Sequence, residues 1–159
     1  MDKARLRQAI IERINNELEV QTRAALTSHD EATHEESKAE NQYDMHAQEA
    51  AYLAEGQAKL ASELHDSIAL YQSMELPIFG PTQPIALGAV IILETAGRKV
   101  RYFLGPRNGG LEINFDGTDL VVITPQSPLG RSLIGRRSGD SVTTQSAGRT
   151  LSQRIVAVE

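Results

Sequence analysis

Acidic side chains concentrate in residues 30–44, where six carboxylates accompany a single lysine. One positive and six negative charges give this segment a net charge of −5 (Asp30, Glu31, Glu35, Glu36, Glu40 and Asp44 against Lys38). Carboxylate oxygens are the donors that Mg²⁺ prefers, and Mg²⁺ is usually held by one or two carboxylates together with water. Acids near a helix N-terminus are also stabilised by the helix dipole. The pattern therefore leaves two interpretations open: a solvated loop, or carboxylates that help to place a metal belonging mainly to another protein.

Other catalytic and ligand-binding chemistries have few candidates in this chain. Cysteine is absent, which excludes disulfides and cysteine-based zinc sites. The histidines are scattered, and none pairs with another at the spacing of a helix-borne zinc site (His29, His34, His46 and His65). Residues 76–159 contain no phosphate-binding glycine loop and no nucleophile accompanied by a base. We therefore expect no enzyme in its own right and no cofactor of its own.

Charge, glycine and proline all divide the chain near residue 75. Residues 1–75 carry 15 acidic and 7 basic side chains, whereas residues 76–159 carry 6 and 9. All 6 prolines and 11 of the 12 glycines follow residue 75. We predict a helical domain at 1–75, with its acidic tip at about 28–41, and a second domain at 76–159. The acidic balance disfavours nucleic acid as the primary partner.

No apolar segment reaches the ~18 residues needed to span a bilayer, and the charged start of the chain differs from a secretion signal. We therefore expect a cytoplasmic protein with no membrane partner.

The first domain shows two helical stripes of apolar residues. The stripes repeat at intervals of three and four residues, with one skipped turn between Leu53 and Leu60 (Leu6, Ile10, Ile14 and Leu18, then Ala50, Leu53, Leu60, Leu64, Ser67 or Ile68, and Tyr71). Each helix would be about 40 Å long at 1.5 Å per residue. Because one narrow stripe barely stabilises a lone helix, the two stripes are expected to pack against each other. A link at residues 27–36 leaves room only for an antiparallel return, which predicts a coiled-coil hairpin.

The second domain shows short strand-like runs separated by turn residues. The runs are β-branched or alternating, and turns such as Ala96-Gly97 and Asp116-Gly117 separate them (90–93, 100–104, 120–123, 141–143 and 153–158). Between the third and fourth runs, Ser127 fits a helix N-cap, Pro128 the first helical position and Gly135 the stop. We predict an α+β protein, in which a hairpin precedes four to six antiparallel strands with one short helix.

Two segments resemble the Gre family of bacterial transcript cleavage factors. Residues 40–49, followed by Glu55-Gly56, are similar to the second hairpin helix of that family. Residues 127–135 and Gly139-Asp140-Ser141-Val142 are similar to the signature of its C-terminal domain. The resemblance covers nearly the whole chain in the family's order and implies an FKBP-like fold for the second domain.

The resemblance implies a partner and a role for each domain. It implies a monomer whose C-terminal domain binds bacterial RNA polymerase at the secondary channel (through Ser127, Pro128, Arg131, Leu133, Ile134 and Gly135). It implies that the tip carboxylates act in the polymerase active centre, contacting the RNA 3′ end only indirectly, with Glu40 a ligand of Mg²⁺ shared with the polymerase. The polymerase then cleaves the 3′ end of backtracked RNA. In this reaction two metals stabilise the attacking and leaving oxygens.

The tip departs from the family at one position. Glu40-Asn41 matches the family's Glu-Asn pair, but Ser37 stands where the family has an Asp. Glu36 and Glu35 are the neighbouring carboxylates that could substitute, and Asn41, Ser37 and Tyr43 are the residues expected to position the tip. The alternative is a Gre-like channel-binding inhibitor without cleavage activity. A prolyl isomerase or peptide-binding module, from fold analogy alone, is disfavoured by the 4% aromatic content.

Overall fold

The structure is a computed structural model that describes residues 1–35, 43–146 and 149–159. Side chains are described for residues 1–23, 52–145 and 150–159. Two long helices come first, α1 (Lys3–Glu35) and α2 (Tyr43–Ser73). The strands are β1 (Val90–Thr95), β2 (Arg98–Leu104), β3 (Glu112–Phe115), β4 (Thr118–Ile123), β5 (Ser141–Ser146) and β6 (Arg149–Val158). Helix α3 (Pro128–Leu133) lies between β4 and β5, so the α+β prediction is confirmed.

Helix α1 begins at a side-chain cap and runs further than the sequence predicts. The Asp2 carboxylate accepts hydrogen bonds from the backbone N–H groups of Ala4 and Arg5, both at 3.1 Å. The predicted link at 27–36 starts too early, because α1 continues to Glu35. No glycine or proline interrupts residues 27–35, so nothing in that segment breaks the helical hydrogen bonds.

The two predicted stripes are buried at the ends of the helices furthest from the acidic segment. Leu6, Ile10 and Ile14 are fully buried on α1, and Leu64 and Tyr71 are buried on α2. Leu53, which was predicted to belong to the α2 stripe, is 51% exposed. The guanidinium of Arg7 donates to the carbonyl of Gln72 at 3.4 Å, which places the start of α1 beside the end of α2. The coiled coil over the remaining length stays a prediction.

The strands form one six-stranded sheet in the order β3-β4-β2-β1-β6-β5. The prediction of a purely antiparallel sheet is wrong for one pair, because β2 and β4 run parallel. Parallel neighbours need a long crossover connection. Here residues 105–117 supply it, and they contain β3, a strand too short for the sequence patterns to single out. All the other neighbouring strands are antiparallel.

Each face of the sheet carries buried apolar side chains. On one face the strands pack with α3, whose Leu133 is fully buried, to form what we call the α3-side core (with Ile85, Ile91, Leu93, Leu104 and Ile155 among its members). By strand register, Phe103, Leu120 and Val122 lie on the opposite face. They are buried and do not belong to the α3-side core. The helical residues Leu6 and Tyr71 are likewise buried outside that core.

By its internal contacts, the chain divides into two compact units. The sheet unit comprises Met1–Ile10 and Leu70–Glu159, and the helical unit comprises Ile11–Ala69. The predicted domains, 1–75 and 76–159, come from a single cut in the sequence and not from contacts, so that division stays a prediction. Both ends of the helical segment belong to the sheet unit.

Across the described parts of the chain, neither α1, α2 nor α3 has the length and apolar character to cross a membrane.

Candidate docking surface

The predicted acidic tip lies almost wholly outside the described residues. Glu36, Ser37, Glu40 and Asn41 fall in the segment that is not described. Glu35 is the last residue of α1 and Tyr43 the first of α2, but their side chains are not described. Within the described ranges, no three or more His, Asp or Glu side chains are grouped so that they could hold a metal ion.

Helix α3 forms where its capping residues predict it. Ser127 has an extended backbone, and its hydroxyl accepts from the Gly130 N–H at 3.0 Å while donating to the Thr124 carbonyl at 2.8 Å. Pro128 occupies the start of the helix, and Gly135 follows it with φ +79°. This left-handed conformation strains other residues but not glycine. The local predictions for this helix are therefore confirmed.

Gly130 has a structural role that the sequence patterns missed. A Cβ on this residue would lie 1.9 Å from the Thr124 carbonyl oxygen, so only glycine lets α3 approach the end of β4 this closely. Beyond α3, Ile85 exchanges backbone hydrogen bonds with Gly135 and Arg136 (Ile85 N–H to Arg136 O at 2.7 Å, Gly135 N–H to Ile85 O at 2.9 Å). The sequence does contain one indication of this role: Gly130 lies inside the predicted helix, where glycine is unfavourable unless packing requires it.

The six residues predicted to bind a partner divide into inward and outward groups. Leu133 lies in the α3-side core, and the Ser127 hydroxyl is occupied as the cap. Pro128, Arg131 and Ile134 are exposed: the first two are three residues apart on α3, and Ile134 directly follows the helix. We call these three residues the α3 surface. Ile134 is 45% exposed, an apolar contact point beside a cation.

Cations continue from the α3 surface into the following loop. Arg131, Arg136 and Arg137 are all exposed, and none has an ion pair within the part of the chain that is described. Unpaired guanidinium groups beside exposed apolar atoms suit a partner that carries acidic side chains.

A cavity of about 570 Å³ in the sheet unit is a second candidate site. Lys3 lines it, donates to the Pro77 carbonyl at 2.5 Å and lies 4.6 Å from the centre of the Phe79 ring. Burial lowers the pKa of Lys3 to about 8, while the charge of Glu159 acts in the opposite direction. Because Glu159 also pairs with the Met1 amino group at 3.0 Å, the main charged groups of this cavity already have partners within the chain. The cavity is therefore a weaker candidate than the α3 surface.

The described residues thus form an α+β fold with exposed arginines on α3 and in the loop that follows it. Residues 81–159 match the family model "Transcription elongation factor, GreA/GreB, C-term". Through this C-terminal domain the chain belongs to the GreA/GreB family of transcription elongation factors.

The solved structures similar to this chain include relatives with the same family names. GreA factor homolog 1 of Thermus thermophilus is 20% identical, with 94% of each chain covered and a TM-score of 0.38. The homolog from Thermus aquaticus is 20% identical, with 95% of this chain and 94% of that chain covered and a TM-score of 0.41. An elongation factor GreA/GreB from Nitrosomonas europaea is 20% identical, with 60% and 78% covered and a TM-score of 0.38. A search of the curated proteins found no match.

Proposed function

We propose that the chain binds bacterial RNA polymerase and modulates transcription elongation. The observation that carries the proposal is the family match over residues 81–159, which includes every residue of the α3 surface. The exposed, unpaired arginines support a protein partner rather than a small-molecule substrate. We further propose that the protein acts as a cytoplasmic monomer.

The α3 surface is the part of this proposal that the structure allows to be tested most directly. Arg131→Glu reverses an exposed charge, and Ile134→Ala removes an exposed apolar contact, so neither change disturbs a buried group. We expect each to weaken binding to purified polymerase about tenfold at low salt, Arg131→Glu by opposing the partner's charge and Ile134→Ala by removing apolar contact area. The matched control is Arg98→Glu, another exposed arginine, which lies at the start of β2. Equal binding by all four proteins would remove α3 from the docking surface.

The acidic tip is proposed to act inside the secondary channel of the polymerase. Glu40 is the residue expected to hold Mg²⁺ shared with the polymerase, since one carboxylate together with water is a common way for proteins to bind this ion. Metal bound there would supply charge stabilisation for hydrolysis of the RNA 3′ end. Glu35 and Glu36 add negative charge next to Ser37, and Asn41 and Tyr43 are expected to position the tip.

A second candidate function is inhibition without cleavage, and Ser37 is the observation that favours it. Serine is neutral where the resembling family has an aspartate. Glutamate side chains at 35 or 36 start from different backbone positions and are one methylene longer. Because catalysis tolerates errors of about 1 Å poorly, a displaced carboxylate can occupy the channel without supporting hydrolysis.

One assay separates the two candidates. A backtracked elongation complex with Mg²⁺ is mixed with the wild-type, Glu40→Ala and Ser37→Asp proteins, and RNA fragments and polymerase binding are measured together. A cleavage factor produces 3′ fragments that Glu40→Ala abolishes while binding is kept. An inhibitor binds and slows nucleotide addition without fragments, and Ser37→Asp then gains cleavage. Failure of the wild-type protein to bind the polymerase would contradict both proposed functions.

A further inference from the structure

The two outer edges of the sheet are protected to different degrees. The β3 edge is four residues long, carries Glu112 and is followed by Asp116, whose carboxylate is paired with Arg5. The β5 edge is six residues long, and its sequence Ser-Val-Thr-Thr-Gln-Ser contains neither charge nor proline. Charged residues, proline and shortness are the usual features that prevent an edge strand from pairing with another chain. The β5 edge has none of them.

The hydrogen bonds at the start of β5 show which of its backbone groups face outward. The Ile155 N–H donates to the Asp140 carbonyl and the Gly139 N–H donates to the Ile155 carbonyl, both at 2.8 Å. Residues of an antiparallel pair face their partner and face away alternately. With Ser141 opposite Arg154, the N–H and C=O groups of Ser141, Thr143 and Gln145 therefore point away from β6. Within the described residues, these groups have no hydrogen-bond partner.

Three arginines surround the end of this edge where β5 begins. Arg154 lies directly across from Ser141, and Arg136 and Arg137 immediately precede the turn that leads into β5. All three are exposed and have no ion pair among the residues that the structure describes. Two acids lie nearby: Glu94 is the register partner of Arg154 on β1, and the Asp140 carboxylate accepts from the Arg137 N–H at 2.9 Å. The net charge beside the edge is therefore positive.

From these observations we propose that β5 is a strand-addition site for an extended acidic segment of a protein partner. Backbone hydrogen bonds to Ser141, Thr143 and Gln145 hold the added strand, as in other β-augmentation complexes. Acidic side chains at the end of that segment nearest Ser141 pair with the surrounding arginines. A second copy of this chain fits less well. Antiparallel pairing of β5 with itself would bring the arginines near Ser141 next to the other copy's Ser146, which lies across from Arg149, so the approaching ends would both be cationic. The site does not depend on the α3 surface or on RNA cleavage.

The test uses the full chain, labelled with ¹⁵N, and an eight-residue peptide of alternating Glu and Val. We expect hydrogen exchange of the Thr143 and Gln145 amides to slow about tenfold when the peptide binds, while the Val142 and Thr144 amides change little. A peptide with Lys in place of Glu tests the charge, and an N-methylated Glu–Val peptide tests the backbone hydrogen bonds. Both control peptides should fail to protect β5.

Two variants complete the experiment. Thr143→Pro removes an outward N–H, which an edge strand can lose without breaking a bond to its neighbour, and should abolish protection. Arg154→Glu keeps every backbone group and should weaken binding about tenfold, whereas Arg98→Glu on β2 should leave binding unchanged. Equal binding of the lysine peptide, binding without protection of the β5 amides, or protection of β5 by self-association alone would each overturn the proposal. None of these outcomes bears on polymerase binding.

Discussion

Gly130 shows how a single missing side chain decides whether α3 can pack against the end of β4. The position a Cβ would take is 1.9 Å from the backbone oxygen of Thr124, and backbone cannot rotate away as a long side chain can. The Ser127 hydroxyl, which caps the same helix, is 2.9 Å from that position. Any side chain at residue 130 therefore displaces both the cap and the end of β4.

We predict that Gly130→Ala lowers the free energy of unfolding by about 2–3 kcal/mol, because overpacking forces backbone shifts. The matched variant is Gly56→Ala in α2, where the added Cβ would meet no atom within 4 Å apart from its chain neighbours and the nearby backbone of its own helix. There, alanine should raise the free energy of unfolding by about 0.5–1 kcal/mol, because alanine favours the helix more than glycine does. Urea unfolding followed by circular dichroism measures both changes. A Gly130→Ala protein as stable as wild type would show that α3 does not need this close approach.

Lys3 makes stability depend on pH in the mildly alkaline range. Burial lowers its pKa from 10.5 to about 8 in the folded state. Between pH 8 and 10.5 the unfolded chain therefore keeps a proton that the folded chain has lost, so the free energy of unfolding rises with pH. Burial also raises the pKa of Tyr71, which lowers stability only above about pH 10, where the unfolded tyrosine ionises.

We predict that wild type gains on the order of 1 kcal/mol relative to Lys3→Met between pH 7.5 and 9.5. Lys3→Met keeps an unbranched apolar side chain in place and removes the ammonium. Lys59→Met, at an exposed position on α2, is the control and should parallel wild type. Urea unfolding at four pH values gives the slopes. Parallel curves for wild type and Lys3→Met would show that the Lys3 amine is solvated rather than buried.

At the scale of elements, an ion pair joins the first turn of α1 to the turn between β3 and β4. Both terminal nitrogens of Arg5 donate to the Asp116 carboxylate, at 2.9 and 3.2 Å. The guanidinium also lies 5.4 Å from the centre of the Phe115 ring. The side chains are 64% and 56% exposed, so solvent screens much of the attraction.

We predict a coupling energy of about 0.5 kcal/mol, and at most about 1 kcal/mol, in a double-mutant cycle of Arg5→Ala and Asp116→Ala. Because the pair is exposed, 1 M NaCl should remove most of it. Arg5→Lys distinguishes the paired geometry from the charge alone, since lysine cannot make the two parallel hydrogen bonds. A coupling above 2 kcal/mol that persists in high salt would mean that the pair is shielded from water.

Local patterns in the sequence predict local structure well and long-range pairing poorly. Ser127, Pro128 and Gly135 predict α3 because capping and glycine conformations depend on adjacent residues. The parallel pairing of β2 with β4 depends on where β3 inserts at the edge, which no local pattern records. Likewise, spacing alone does not distinguish Arg131, which is exposed, from Leu133, which is buried in the core. The polymerase-binding roles predicted for these residues rest on the family resemblance and not on periodicity.

At the scale of the whole molecule, buried apolar side chains are shared unequally between the two units. Among the side chains that the structure describes, the buried hydrophobic ones of the helical unit are Ile11, Ile14 and Leu64. The sheet unit holds all the others, on both faces of its sheet. Regions with few buried apolar contacts open at lower free energy than a packed core.

We predict that backbone amides of the helical unit exchange at least about tenfold faster than those of β1, β2 and β6. Hydrogen exchange of the full chain, followed by mass spectrometry of peptic fragments, provides the measurement. Fragments from Met1–Ile10 and Leu70–Ser73 serve as internal controls, because these helical residues belong to the sheet unit and should exchange slowly with it. Uniform exchange along α1 and α2 would show that the helices open as single elements.

The order of the strands has a consequence for synthesis on the ribosome. Strand β6 pairs with both β1 and β5 and follows both of them in the chain. Until it emerges, the nascent sheet ends at β1, whose Ile91 and Leu93 are fully buried in the finished fold. An unpaired apolar edge in a growing chain is prone to aggregation. A stalled or prematurely terminated polypeptide that lacks β6 is therefore a natural client for chaperones, and β5 in such a fragment has nothing to pair with.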